Sequence, residues 1–356
     1  VATVNERLFN AEVRHAVSLQ RFANGAVQRM VGLLNEVDTD LLARLSAAIE
    51  GTASDLRIER LEALLVDANA LNATSYDRLS RALSVELHDF LDHELEYQAT
   101  LLETEVPEPI VTQLGVNRVV ADQVFAAAMA RPFQGVLLSE ALEDQEAGRA
   151  KLIRDTIRMG IIEGRTEAEI TRTLRGTRAQ GYADGLLERP RHQLAALVRT
   201  AVNHTQNYAK QKIYEENKDL VPRWVFRATL DSRTSITCGS LDGKTFPVGK
   251  GPQPPRHWNC RSLAAPITAS WRELGVNLEE VDAGMRASMD GQVPAATSFG
   301  GWLRDQPAAV QDEVLGAKRG QLFREHHLPL DKFVNKQGEV LDLEALKRRD
   351  ETLFNK

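Results

Sequence analysis

Cysteine is nearly absent: the 356 residues hold two, Cys238 and Cys260, too few for a disulfide scaffold, which favours a chain maturing in a reducing cytoplasm. Aromatic residues are scarce as well, at 6%, so rows of stacking rings for single-stranded bases have little material, although phosphate contacts stay open. No apolar run reaches the roughly 18 residues that a bilayer-spanning helix requires. Val1 to Asn10 shows no basic segment followed by an apolar one, so the sequence leads to the expectation of no export signal and no membrane contact. Excess positive charge is missing too: the net charge of −6 excludes a histone-like polycation.

What is present points to a globular protein. A hydrophobic content of 43% can fill real cores, and the length suits two or three domains of about 150 residues each. Charge is unevenly placed, because residues 1–110 carry nine Arg and no Lys against nineteen Asp and Glu, a local net charge of −10 that leaves +4 for the remainder. Two regions facing different partners would explain this, and so would a solvated acidic helix face.

The pattern predicts an α+β fold, predominantly α-helical, in which a helical N-terminal region precedes a small β-containing domain. We divide it into an acidic helical region (1–110), a helical middle (111–220), a β-containing Cys/His block (221–283), and a linker with C-terminal helices (284–356). Leu41, Leu42, Leu45, Ala48 and Ile49 fall on one helical face. Ser54-Asp55 and Thr74-Ser75 read as helix N-caps, and Glu105-Val-Pro-Glu-Pro109 reads as a break. Helix is expected again over 116–145 and 149–162. Thr166 with Glu169 forms a capping-box pattern closed by Gly176, and a longer helix runs from Pro190 to about Asn217.

The pair of helices near 151–175 has the outline of a helix-turn-helix, an arrangement that is also a common packing unit. Trp224 to Leu230 and Thr245 to Val248 read as strands flanking the turn-like Leu241-Asp-Gly-Lys244. Beyond Arg261, Ala269 to Leu274 reads as helix and 284–301, with Gly284, as a flexible stretch. Gly301 to Leu303, Ala308 to Leu315 and Leu341 to Arg349 read as the last helices.

The residues that carry chemistry are Cys238, His257 and Cys260. Thiolate and imidazole suit Zn(II), and a His-x-x-Cys step lets one turn present two ligands to a tetrahedral ion. Asp231, His204 or a water is available as the fourth ligand; Asp231 is our first choice. Packed free thiols and a Cys238–Cys260 disulfide are the alternatives. Asp231 also suits a charge-assisted bond to Arg233 or Arg261 that ties loops together.

An ordered set of residues is recognisable here: Arg199-Thr200 on a helix, Trp224, Leu230-Asp-Ser-Arg-Thr234, Cys238, Leu241-Asp-Gly-Lys244, Phe246, and Pro254-Pro-Arg-His-Trp-Asn-Cys-Arg261. It resembles the phage head morphogenesis family of Mu protein F-like minor head proteins. Trp302-Leu303, Gln306-Pro307, Leu315-Gly316, Arg319, Leu322-Phe323, Phe333 and Leu341 to Leu346 resemble the same family's C-terminal pattern. The likeness spans about 150–350. Ser235 departs from it, standing where many members have the first cysteine of a Cys-x-x-Cys step, so a metal here needs a replacement ligand.

The resemblance implies a low-copy structural protein of the virion, in the capsid interior or at the portal vertex, present in the host cytoplasm during assembly. It implies portal protein or major capsid protein as partners, a role in head assembly, and contact with packaged double-stranded DNA during packaging or ejection. Arg172, Arg175, Arg178, Arg189 and Arg191, and later Lys318, Arg319 and Arg324, supply charge for non-specific phosphate contact, and solvated helix faces explain the same residues.

Catalysis is not expected. HExxH, Gly-x-Ser-x-Gly and a phosphate-binding Gly-rich loop are all missing from the sequence. The enzyme alternatives are an ADP-ribosyltransferase-like fold, to which this family has been likened, and a zinc-dependent hydrolase or nuclease.

Overall fold

The computed structural model describes residues 4–49, 58–270, 274 and 285–350. The Ser54-Asp55 cap, Gly284 and most of the Ala269–Leu274 helix lie outside the described residues. The fold is α+β and predominantly α-helical, as the sequence pattern predicts. The chain forms two compact units, one from Val1–Leu19, Leu91–Ala128 and Asn203–Lys356, the other from Gln20–Phe90 and Met129–Val202.

The second of these units is helical. It draws on α1 (Val4–Ile49), α2 (Ile58–Glu105), α5 (Leu138–Ile162), α6 (Glu167–Arg175) and the first turns of α7 (Glu188–Glu216). Leu41, Leu45, Leu64, Leu65, Ile153, Ile157, Ile170 and Leu174 form its core, the apolar stripe that helical spacing predicts. Gly160 lets α5 approach α6, since a Cβ there would stand 2.5 Å from Ile170 Cγ1.

Thr166 caps α6, with its backbone N–H donating to Glu169 (2.7 Å) in the expected capping box, and Gly176 closes the helix at φ +90°. Thr74-Ser75 is not a cap: α2 runs straight through it, because the Ser75 hydroxyl donates to the Asn72 carbonyl (2.7 Å) instead of freeing a helix end. Likewise α5 is continuous through Gly148. The interruption falls earlier, between α4 (Ala121–Met129) and α5, where Pro132 and Gly135 turn the chain.

Arg149 crosses this unit's interior fully buried, donating to Asp38 and Asn72; Arg191 Nη2 reaches the other Asp38 oxygen at 2.5 Å. Burial pushes the nearby Tyr76 hydroxyl up to about 12.

The first-named unit holds the sheet. The proline break is as expected: α2 stops at Glu105, and α3 (Glu108–Leu114) takes Pro109 into its first turn. Strands β1 (Arg223–Arg227), β2 (Thr245–Pro247) and β3 (Leu263–Ile267) form an antiparallel sheet in the order β2-β1-β3, with Trp224 opposite Phe246 and Pro266. Pro266 is tolerated because β3 is an edge strand.

The buried face of α7 replaces a fourth strand. Asn207 Oδ1 accepts the Ala264 N–H (2.9 Å) and Asn203 donates to the Ser262 carbonyl (3.1 Å), so edge groups that a neighbour would have bonded are satisfied. On one face of the sheet, Phe9 of α1 packs with Val225, Leu263 and Ala265.

A second core gathers α8 (Ile236–Leu241), α9 (Phe299–Arg304), α10 (Ala308–Leu315), α11 (Ala317–His326) and α12 (Leu343–Arg349) around Phe299, Trp302, Phe323 and Phe333. The stretch read as flexible instead contains a hairpin, β4 (Met285–Ser288) and β5 (Gly291–Pro294), turned at Met289-Asp290 and leaving the turn at Gly291 with φ +116°. In the same unit Lys210 of α7 and Glu12 of α1 form an ion pair buried on both sides.

Candidate functional site

The site grows from the turn after β1. Asp231 accepts the Arg233 N–H (3.1 Å), and the Thr234 hydroxyl donates to the Thr229 carbonyl (2.6 Å), which locks the Leu230-Asp-Ser-Arg-Thr234 run into a side-chain-stabilised turn. Ser235 then caps α8 by accepting the Cys238 N–H at 3.2 Å. The residue that departs from the family pattern therefore starts the helix that carries Cys238.

The second limb is the loop after β2. In its His257-x-x-Cys260 turn the Cys260 N–H donates to the His257 carbonyl (3.2 Å), and Asn259 takes the left-handed conformation (φ +58°) that asparagine tolerates. His257 Nδ1 lies 2.8 Å from the Trp258 carbonyl, which can only accept, so Nδ1 carries the proton and Nε2 is the ring's remaining ligand atom.

These limbs bring Cys238, His257 and Cys260 together, with one ligand atom from each lying within 4.8 Å of the others and the two sulfurs 3.7 Å apart. Both cysteines are buried free thiols, and His257 is half-buried. Their proton affinities diverge. The Cys238 S–H hydrogen bond holds Cys260 well below the ordinary thiol value against the opposing effect of burial, and His257 adds to the depression. The same hydrogen bond, with burial, pushes Cys238 well above it. Burial opposes charge on His257, but the Cys260 sulfur outweighs it and raises the imidazole. One thiolate, the ligand form of cysteine, is thus already stabilised. Such a Cys-His-Cys cluster can hold a metal ion.

Asp231 stands outside that group. Its carboxylate is clasped by Arg261, at 2.5 Å from Nη1 and 2.7 Å from Nη2, while Arg233 is 3.8 Å away. The clasp joins the β1 turn to the residue that follows Cys260. His204 is likewise elsewhere, buried on α7 with Nε2 3.0 Å from the Ala128 carbonyl.

Burial would raise the Asp231 carboxyl, and Arg261 reverses the sign, so it sits below its ordinary value. A group depressed on folding stabilises the native state above its unfolded pKa, about 3.9, and loses that contribution as pH falls through the native value. The Asp231→Asn chain is therefore expected to be less stable than wild type at pH 7, with the difference closing below about pH 4. Urea midpoints measured across pH check this.

Asp242 is a hub that the sequence reading missed. Its fully buried carboxylate accepts the Ala228 N–H (2.8 Å), the Phe299 N–H (2.7 Å) and Arg286 Nη1 (2.8 Å), tying β1, β4 and α9 to the turn. Leu241-Asp-Gly-Lys244 signals a turn, and Gly243 at φ +81° makes one, but the Arg286 partner lies 44 residues on and leaves no local trace.

Residues 151–265 match the Phage Mu protein F like family. The motifs from Arg199 to Arg261 lie inside this Mu F-like segment, as do both limbs of the site. Over 121 residues, 33% of the chain, the sequence is 31% identical to an NAD(+)–arginine ADP-ribosyltransferase of Enterococcus faecalis. The chain spans 23% of that relative's length. No solved structure matches.

Within the Mu F-like segment, Arg172, Arg178 and Arg189 are exposed and form no ion pair among the described residues. Arg175 lies over the Tyr182 ring, 4.6 Å from its centroid, and Arg191 is engaged by Asp38 and Glu188. Beyond the segment, Lys318 donates to Gln321 (3.0 Å), Arg319 to the Leu341 carbonyl (2.7 Å), and Arg324 pairs with Asp312 (2.8 Å). Among the described residues, no helix is long and apolar enough to cross a membrane.

Proposed function

We propose that the protein is a phage minor head protein, a head-morphogenesis component of the virion that works by binding rather than turnover. The match of residues 151–265 to the Phage Mu protein F like family carries this reading. The Asp231–Arg261 clasp supports it, because both charged groups are held in a bond that joins loops. Portal protein, with or without major capsid protein, is the partner, and the capsid interior or portal vertex is the place.

Truncating the N-terminal helices would not test this cleanly, since α1 supplies Phe9 and Glu12 to buried contacts. Exposed apolar positions on α2 are the better probes. Val66→Asp with Val85→Asp is expected to abolish co-purification with portal protein while the chain stays folded; retention by the double variant moves the contact off this helix.

In the same reading the Cys238, His257 and Cys260 cluster holds zinc as a staple between the two loops. Elemental analysis is expected to return one zinc per wild-type chain and none in Cys260→Ser, with a lower Tm for the variant. A metal-free wild type as stable as one supplied with zinc would remove the staple. Arg172, Arg178 and Arg189 give non-specific contact with double-stranded DNA, which weakens steeply as salt rises.

A second reading follows from the Enterococcus faecalis relative: ADP-ribosyl transfer from NAD(+). Hydrolysis or transfer of labelled NAD(+) by the purified chain, above a boiled control, would favour it over a purely structural role.

A further inference from the structure

The helical unit contains a cavity of about 400 Å³, large enough for a small ligand. Asn35 and Asp38 of α1, Arg175 at the end of α6, Tyr182 of the α6–α7 connection, and Glu188 and Arg191 of α7 line it. We propose that this cavity receives a single phosphate-type oxyanion, with Arg175 as its clamp.

Charge comes first. Asp38 is shared by Arg149 and Arg191, and Arg191 Nη1 also reaches Glu188 at 3.1 Å, so two carboxylates and two guanidiniums balance one another. Arg175 is left over. It forms no ion pair among the described residues, and its guanidinium rests on the Tyr182 ring. The lining charges, Arg175 and Arg191 against Asp38 and Glu188, balance, and Arg149 buried behind Asp38 adds one positive charge. On the same wall Arg191 Nε is a buried donor without an acceptor.

The backbone holds this arrangement at a cost. Tyr182 has φ +69°, a conformation in which a bulky residue is an outlier, and such strain persists only where neighbours over-determine it. They do so here. The Tyr182 N–H donates to the Thr177 carbonyl (2.8 Å), and the Asp184 carboxylate accepts both the Thr177 N–H (2.7 Å) and its hydroxyl (2.8 Å). Gly176 and Gly185 pass backbone to backbone, since a Cβ on Gly185 would lie 2.3 Å from the Arg175 carbonyl carbon. The strained turn keeps an aromatic face under Arg175 and so fixes a guanidinium fork whose geometry matches phosphate oxygens. Arg175, the Asn35 amide and Arg191 come from three separate elements, which suits a tetrahedral oxyanion over a planar carboxylate.

Calorimetric titration of the full chain with inorganic phosphate at fixed ionic strength tests the assignment. One saturable site is expected, weakened roughly tenfold or more in Arg175→Ala and unchanged in Arg158→Ala, whose exposed side chain on α5 is not part of the cavity wall. Arg175→Lys, which keeps the charge but not the fork, should fall between. A duplex oligonucleotide added to phosphate-loaded protein distinguishes the sources: displacement assigns the site to a nucleic-acid backbone phosphate, and retention assigns it to a free phosphate compound. Absence of a saturable site, equal loss in Arg158→Ala, or acetate binding as tightly as phosphate would overturn the proposal. The titration reads the cavity alone, so portal co-purification can fail while phosphate binding succeeds.

Discussion

Replacing Lys210 by methionine destabilises the sheet-containing unit by about 3–5 kcal/mol, the cost of leaving one buried charge without its partner. Lys210 and Glu12 are both fully buried, and their ammonium and carboxylate are in direct contact. Glu12 also has one oxygen without a hydrogen-bond donor, so the pair is incompletely satisfied even before substitution. Glu12→Gln should cost a similar amount. The double variant Glu12→Leu with Lys210→Met removes both charges together and is expected to recover most of the loss, because exchanging a buried pair for apolar groups is often neutral or stabilising. All four tryptophans lie after residue 203, within this unit, so urea titration followed by tryptophan fluorescence reads it without a signal from the other. A double variant as unstable as the two single losses combined would mean that the ion pair does not act as a unit.

Asp38→Ala has an effect of the same order in the helical unit, about 3–5 kcal/mol. Here one carboxylate serves two guanidiniums, of which Arg149 is almost wholly buried. Without Asp38, Arg149 keeps a hydrogen bond to Asn72 but no counter-charge. Arg191 suffers less, since it is partly exposed and retains Glu188. Arg149→Met added to Asp38→Ala should therefore restore more stability than Arg191→Met added to the same background. This unit contains no tryptophan, so far-ultraviolet circular dichroism is the measurement to use.

Helix was legible where apolar spacing repeats over many turns, and the stops at Pro107 and Gly176 follow from local backbone chemistry alone, whereas Thr74-Ser75 and Gly148 look like interruptions and lie inside continuous helices. Short elements were not. Strand β3 reads Leu-Ala-Ala-Pro-Ile, an apolar run with neither alternation nor a turn signal, and it is a strand only because β1 and Asn207 bond its backbone. Helix α8 spans six residues and depends on Ser235, which looked like a missing cysteine and is a cap.

At the candidate site, Cys238 and the His257-x-x-Cys260 step were visible as ligand types, and the structure brings them together. Asp231 offered both a metal ligand and an arginine partner, and Arg261 engages it. The Asp242 hub and the Arg175 cavity could not be read, because each assembles side chains from elements far apart in the chain.

The distance along the chain between Glu12 and Lys210 bears on how the polypeptide is made. The 198 positions that separate them take a ribosome roughly 10–40 s to add at about 5–20 residues per second. Throughout that interval the Glu12 segment waits outside the exit tunnel without its cation, while much of the helical unit has already emerged and can close on its own. Nascent chains arrested between residues 205 and 240 should then show a protease-resistant helical unit beside an N-terminal segment that is still open to cleavage.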